Sequence, residues 1–329
     1  MTRVCPEGRE TSVSNLYFVG VSTAHSSIMA IFPAWAAALG LSAKIRGVDL
    51  PLNASSEDIH AVLDEMAADP DAAGALVTTH KASMFEHAAD RFTEIDNWGR
   101  LCREISCIAF RDEALLGWAK DPITSRQAYT WLLGEHPWRD DPSDVVCLGA
   151  GGAGLALTVA ILGNQIQPRR YVLVDREPGR LAVARAAVAQ LSVTADVEYH
   201  LTDGAEANDR IVCSVLPGSL IVNATGMGKD LAGSPVTADV DFPQGAAVWD
   251  MNYRGELLFV DIAARQPAGR ELTVSDGWQY FMYGWSEVIS EVFDVPMTDT
   301  RFAELKTIAE EITGRRPTVS LRNPMASRE

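Results

Sequence analysis

The sequence predicts an α/β protein of two domains, and three observations carry that prediction. Apolar runs of strand length alternate with segments whose apolar residues recur at helical spacing, the pattern of a layered α/β fold. The chain has 329 residues, long for one hydrophobic core and natural for two. A glycine cluster, Gly149-Ala150-Gly151-Gly152-Ala153-Gly154, stands mid-chain between a strand pattern and a helix pattern.

In chain order, Tyr17 to Val21 reads as a strand, followed by a polar turn and a helix from about Ser27 to Leu39. A strand near Ala43 to Leu50 ends at Pro51. Ser55-Ser56-Glu57-Asp58 resembles a helix start, with a serine cap and acids in the first turn. Ile59, Val62, Leu63 and Met66 then recur at helical spacing, and Asp69-Pro70-Asp71 stops the helix. Gly74 to Thr79 is a short buried strand; Cys107–Ala109 and Ala114–Trp118 are two more, parted by a turn at Arg111-Asp112. Asp121-Pro122 opens a helix that reaches Leu133, and His136 to Asp144 is a polar, proline-bearing connector. Val145-Val146-Cys147-Leu148 is an unbroken apolar strand of the kind buried in a parallel sheet. A helix from Gly152 to Leu162 follows, then strands at Tyr171–Val174, Val197–His200, Leu220–Asn223 and Ala247–Met251. Two amphipathic helices are expected between Gly277 and Arg315, with Phe302, Leu305, Ile308 and Ile312 on one face of the second.

Composition narrows the partners. Apolar residues make up 47% and charged residues 22%, with a formal charge of −16. That charge opposes binding to nucleic acid or anionic membranes, both polyanions, and no apolar stretch approaches the ~20 residues of a membrane span. The first ten residues lack the apolar run of a signal peptide, so a cytoplasmic location is expected. Five cysteines (Cys5, Cys102, Cys107, Cys147, Cys213) without a CxxC pair read as reduced, mostly buried thiols, with no metal site.

Gly149-x-Gly151-x-x-Gly154 has the spacing of a dinucleotide cradle. The first glycine permits a tight turn, the second lets backbone N–H groups approach a pyrophosphate, and the third lets helix and strand pack closely. The helix N-terminus adds partial positive charge beside the phosphates. Asp175, ending the next strand, is placed to accept hydrogen bonds from the ribose hydroxyls of the adenosine half. A carboxylate there repels a 2′-phosphate and favours NAD, whereas Arg176 and Arg180 could bind that phosphate and keep NADP open. FAD and a ligand-free glycine turn are the other readings of the motif. The cofactor-binding residues expected are Gly149, Ala150, Gly151, Gly152, Ala153, Gly154, Asp175, Arg176, and Asn223, Thr225 and Gly226 in the later Asn223-Ala224-Thr225-Gly226-Met227-Gly228 turn.

Ahead of the cradle lie three polar clusters, His25-Ser26-Ser27, Val77-Thr78-Thr79-His80-Lys81 and Lys120-Asp121. Alone, Lys81 would read as a solvated lysine and Asp121 as a helix cap. In this order, with the glycine cradle, the NATGMG turn, Asp250 with Tyr253, and Asp276-Gly277-Trp278-Gln279, the chain resembles the shikimate/quinate dehydrogenase family from about Gly20 to Gly284. The resemblance implies a substrate-binding catalytic domain at residues 1–121, completed by 276–329. It also implies a Rossmann-type, doubly wound NAD(P)-binding domain at 122–275, with an interdomain cleft. It implies a hydride transfer between NAD(P) and a cyclic polyol or hydroxy acid, with Lys81 and Asp121 as the catalytic pair. Lys81 would move the hydroxyl proton or stabilise an alkoxide, and Asp121 would orient the hydroxyl and set the lysine's protonation through charge coupling. Substrate-binding residues would be Ser26, Thr78, Thr79, Ser106, Tyr253 and Gln279. The partner expected is that small molecule, with a homodimer left open.

Departures from the family pattern fall on the substrate side. The HSxSP turn reads His25-Ser26-Ser27-Ile28-Met29, so Ile28 stands where a second serine would hold the ring carboxylate. VTxPxK is one residue short, Ser106 replaces the asparagine of AVNT, and NTD reads Ala119-Lys120-Asp121. Fewer hydrogen-bonding groups disfavour shikimate itself, since each unpaired buried hydroxyl costs about 1–3 kcal/mol. His80 is either a second acid/base or a strand-end residue turned away from Lys81 by period-2 alternation. Trp278, Tyr280, Tyr283 and Trp285 line a pocket or pack a core. Two other readings of the chain are a non-catalytic dinucleotide sensor and a reductase of a different carbonyl or imine.

Overall fold

The computed structural model describes residues 13–112, 114–140 and 142–316, and the backbone of 319–320. Cys5 and the first ten residues lie outside the described residues. The chain divides into two compact units, Met1–Lys120 with Trp285–Arg315, and Asp121–Gly284 with Arg316–Glu329. The first division falls one residue before Asp121. The second falls inside a helix, and the tail after Arg315 belongs with the second unit.

The first unit runs β1 (Ser14–Gly20), α1 (Ile28–Ala38), β2 (Ala43–Asp49), α2 (Ser56–Ala68), β3 (Ala72–Val77), α3 (Lys81–Ala88), β4 (Glu94–Ile95), α4 (Asn97–Cys102), β5 (Cys107–Arg111) and β6 (Ala114–Trp118). Its sheet has the order β2-β1-β3-β5-β6-β4. β1 pairs in parallel with both β2 and β3, so the strand order reverses at β1. In open α/β sheets such a reversal leaves a crevice at the carboxyl ends of the strands. Those ends carry the Ser26 turn after β1 and the Thr78–Lys81 turn after β3. β5 runs antiparallel to β3, which brings its beginning, and residues Glu104 to Ser106, to the same end. The core under the sheet joins Tyr17, Val19, Ile59, Leu63, Met66, Val77 and Ile108. α2 starts as its sequence dictates. Ser55 and Asp58 form a reciprocal capping box.

The second unit runs α5 (Asp121–Leu133), β7 (Asp144–Leu148), α6 (Gly152–Leu162), β8 (Arg170–Asp175), α7 (Pro178–Val188), β9 (Asp196–Leu201), α8 (Ala205–Val212), β10 (Leu220–Asn223), β11 (Ala247–Asp250), α9 (Leu258–Ala264) and β12 (Thr273–Ser275). α10 (Trp278–Phe293) passes from the second unit to the first, α11 (Asp299–Thr313) lies in the first, and β13 (Val319–Ser320) returns to the second sheet. That sheet has the order β13-β12-β11-β10-β7-β8-β9, parallel except for β13. The order reverses at β7, where β8 lies on one side and β10 on the other. This is the Rossmann arrangement, and the glycine cluster and the 223–228 turn follow the two strands at its switch point. Val146, Leu148, Val172, Ile221, Phe242, Val248 and Phe259 fill its core.

β3 ends at Val77, and the chain turns through Thr79 and His80 before α3, where the Lys81 N–H donates to the Thr78 carbonyl at 3.3 Å. Strand alternation therefore does not govern His80. It occupies the N-cap position of α3 without a side-chain cap bond, and Lys81 is the first helical residue.

Candidate active site

The glycines of the cradle answer to different neighbours. Gly149 has φ +109°, and a Cβ there would stand 2.8 Å from the carbonyl of Ala224. A Cβ on Gly154 would lie 1.8 Å from the Gly149 carbonyl oxygen. The chain's own packing thus demands both. Around Gly151 a Cβ would meet nothing within 4 Å. Among the described residues no internal contact explains that glycine, whereas a bound pyrophosphate approaching the backbone would. The residues present therefore fit a dinucleotide.

Asp175 closes the cradle. Its Oδ2 accepts the Ala150 N–H at 2.7 Å and its Oδ1 the Glu177 N–H at 2.9 Å, while Arg180 Nη1 stands 3.8 Å from Oδ2. The carboxylate shapes the glycine loop directly. Arg176 is exposed, 3.9 Å from Glu177.

Asn223 and Thr225 turn inward on their own loop. Asn223 Oδ1 accepts from the Thr225 N–H at 3.0 Å and from its hydroxyl at 2.6 Å, and that hydroxyl accepts from the Met227 N–H at 3.1 Å. Asn223 Nδ2 donates to Asp250 Oδ2 at 3.1 Å, and Asn252 Nδ2 donates to the carbonyls of Thr225 and Met227. These side chains set the shape of the turn, leaving its backbone as the surface nearest the glycine loop. Asp250 is fully buried. Burial pushes its carboxyl up to about 7, reinforced by nearby Asp276 and opposed by the hydrogen bonds from Asn252 and Asn223. The sequence pattern marked Asp250 but carried no sign of this shift, which depends on complete enclosure.

In the first unit, Thr78 is anchored at the end of β3. Its hydroxyl donates to the Val19 carbonyl at 3.2 Å, whereas Thr79 is exposed. Ser26 is buried beside α1, and Ile28, at the place of the second family serine, is fully buried in the apolar interior. Ser106 Oγ accepts the Lys120 N–H at 2.8 Å and donates to the Trp118 carbonyl at 3.4 Å. The hydroxyl that replaces an amide here thus ties β5 to the end of β6. Lys120 is buried and its Nζ pairs with Glu291 at 2.7 Å. Burial holds the His80 imidazole below its ordinary value against a hydrogen bond to the Leu50 backbone, and its Nε2 has no partner among the described residues.

Lys81 Nζ lies 3.8 Å from Glu104 Oε2. Glu104 is buried in the loop leaving α4, and sequence reading missed it because no spacing links it to Lys81. In the second unit, Asp121 Oδ2 accepts the Tyr280 hydroxyl at 3.1 Å, so Tyr280 is a polar partner as well as an aromatic one. Its ring meets Trp249 edge-on at 6.0 Å. Tyr253 packs on Phe281 at 4.4 Å and near Trp278 at 6.0 Å. Gln279 is buried at the start of α10, and its Oε1 has no partner among the described residues. Asp276 caps this helix by accepting the Trp278 N–H at 3.0 Å. Among the described residues no group of side chains is arranged to hold a metal ion, and no helix is long and apolar enough to cross a membrane.

Comparison with known proteins places this geometry. The solved structure of shikimate dehydrogenase from Aquifex aeolicus superimposes with a TM-score of 0.72 over 94% of this chain and 100% of that one, at 16% identity. The fold is that of the shikimate dehydrogenases. The shikimate 5-dehydrogenase of Listeria monocytogenes, solved with shikimate and NAD, matches with a TM-score of 0.69 over 93% of this chain and 99% of that one, at 15% identity. In sequence, the shikimate dehydrogenase (NADP(+)) of Lactococcus lactis subsp. cremoris (strain MG1363) is 30% identical over 141 residues, 42% of this chain and 48% of that protein. The aligned stretch spans about half the length of this curated relative. No protein-family model matches the chain.

Proposed function

We propose that the chain is an NAD(P)-dependent dehydrogenase acting on the CH–OH group of a shikimate- or quinate-like cyclic polyol or hydroxy acid. The observation that carries this reading is the presence of Lys81 and Asp121, at the positions of the family's acid–base pair, on a fold shared with shikimate dehydrogenases. A binding module needs neither residue. When bound, the nicotinamide supplies or takes the hydride. Lys81 gives the proton to the substrate oxygen in reduction and removes it in oxidation, and Asp121, braced by Tyr280, orients the hydroxyl.

NAD is the cofactor we favour, because the Asp175 carboxylate at the rim of the glycine loop repels a 2′-phosphate. Exposed Arg176 is the group that would admit NADP. On the substrate side Ser26, Thr78, Thr79, Tyr253 and Gln279 are the proposed ligands, with Gln279 Oε1 waiting for a donor. Buried Ile28 and the backbone-bound hydroxyl of Ser106 support a substrate other than shikimate. Its carboxylate, if it has one, is held by fewer groups than in the family pattern. The buried thiols of Cys102, Cys107 and Cys147 suit a reducing cytoplasm.

The test is nicotinamide absorbance with shikimate, quinate, aminoshikimate and cyclitols, each with NAD and with NADP. Turnover of one panel member, falling by about 10²–10⁴ in Lys81→Ala, supports the reading. Full activity of that variant overturns the role of Lys81. Tight NAD binding without turnover on the whole panel moves the chain to the dinucleotide-sensor class.

A further inference from the structure

Lys81 is one of five lysines in the chain, with Lys44, Lys120, Lys229 and Lys306. As the first residue of α3 it sits in the field of that helix's N-terminus, which disfavours an ammonium. Its backbone is tied to the loop that precedes β5, because the Ile105 N–H donates to the Lys81 carbonyl at 2.9 Å. Within that loop, Glu104 donates its own N–H to the Gly99 carbonyl at 3.1 Å. Its side chain, 1% exposed, directs Oε2 to 3.8 Å from Lys81 Nζ. Arg103 just before it adopts a left-handed conformation, φ 53°, and this reversal turns Glu104 inward.

Several other charged and titratable groups on the packed elements have engagements of their own. The Arg103 guanidinium lies over the Phe85 ring at 5.3 Å. Asp96 accepts the N–H groups of Gly99 and Ala119. Lys120 pairs with Glu291 and the latter with Arg111, while the His80 ring bonds the Leu50 backbone. Glu104 is a buried carboxylate that faces the lysine amine.

We propose that Glu104 is the positioning residue for Lys81, holding its amine in place and in the ammonium form within the first unit. This rests on the assignment of Lys81 to proton transfer. In reduction the carbonyl carbon takes the hydride and the oxygen takes a proton from Nζ. The neutral amine left behind regains its proton from solvent, and Glu104 restores the charged state by opposing the helix field.

The experiment reads Lys81 directly. The protein and its Glu104→Gln and Glu104→Asp variants are labelled with trace acetic anhydride across pH, and peptides bearing each of the five lysines are quantified by mass spectrometry. The midpoint of Lys81 labelling is expected to fall by about one pH unit or more in Glu104→Gln, the size expected for loss of an opposite charge at this range. Glu104→Asp should restore most of the shift, and the midpoints of Lys44 and Lys306 should not move. An unchanged Lys81 midpoint in a folded Glu104→Gln protein overturns the proposal. If Glu104→Gln does not fold, Glu104→Ala is labelled in its place, and an unchanged Lys81 midpoint there also overturns the proposal. Where a substrate is turned over, the rise of oxidation rate with pH should move down with the labelling midpoint while KM for NAD stays constant. A labelling shift with no turnover on any polyol leaves the Lys81–Glu104 couple standing and removes the dehydrogenase reading instead.

Discussion

The two units carry their candidate site residues in different ways. In the second, the cradle and the 223–228 turn each occupy a few consecutive residues at the carboxyl ends of neighbouring parallel strands. What shapes them is backbone: glycine conformations, a helix start, side chains bonded within their own turn. In the first, the important groups are single side chains on separate elements. Lys81 at the start of α3 is faced by Glu104 from another loop, and Ser106 is spent on joining β5 to β6. A pyrophosphate recognised through backbone N–H groups constrains the backbone, so its motif survives as a spacing. A polyol recognised through side chains can be regripped by exchanging them one at a time on an unchanged sheet.

Perturbing the cradle should break this contrast most visibly. Gly154→Val forces a side chain into the Gly149 carbonyl, and the second unit should lose more than about 3 kcal/mol or fail to fold, as circular dichroism and calorimetry would show. A smaller effect is expected at Asp250. Its carboxyl ionises near 4 in the unfolded chain and near 7 in the fold. Between those values the folded protein therefore holds a proton that the unfolded chain has released. Stability should fall as pH rises through this window, by roughly 2–4 kcal/mol in all, and Asp250→Asn should flatten that slope in calorimetric scans. If the wild-type slope persists in the variant, another group is responsible. Gly151→Ala separates ligand from fold: stability should stay within about 0.5 kcal/mol while NAD affinity drops by about tenfold or more by titration calorimetry. Equal NAD affinity would remove the pyrophosphate explanation for that glycine. Smallest is Ser55→Ala, which opens the capping box of α2 and should lower stability by about 1 kcal/mol without altering nucleotide binding.

Legibility in the sequence followed the same division. Asp175 and the glycines stand out because their spacing follows from one strand–turn–helix–strand passage, and the α2 start because its cap is local. The placement of His80 did not follow, since strand alternation was extended two residues past Val77 into a turn. Asn223 and Thr225 were recognisable as a pair, yet only the hydrogen-bond network shows that they are consumed in shaping their loop. Ser106 was visible as an exchange for an amide; its bonds to Trp118 and Lys120 became visible only with β5 and β6 paired. Helices α3, α4, α7, α8 and α9 escaped the periodicity reading because they are short or carry weak apolar patterns.

By itself the sequence determined the alternation of strands and helices, the dinucleotide cradle and the acid at its rim. These depend on neighbours a few positions away, where steric rules and hydrogen-bond geometry act on the chain directly. Tertiary structure alone decided that Glu104 faces Lys81, that Tyr280 donates to Asp121, and that Asp250 is enclosed enough to ionise near neutrality. Each of these depends on groups from different elements being brought together away from water. Burial and charge are properties of that enclosure, and no spacing along the chain encodes them.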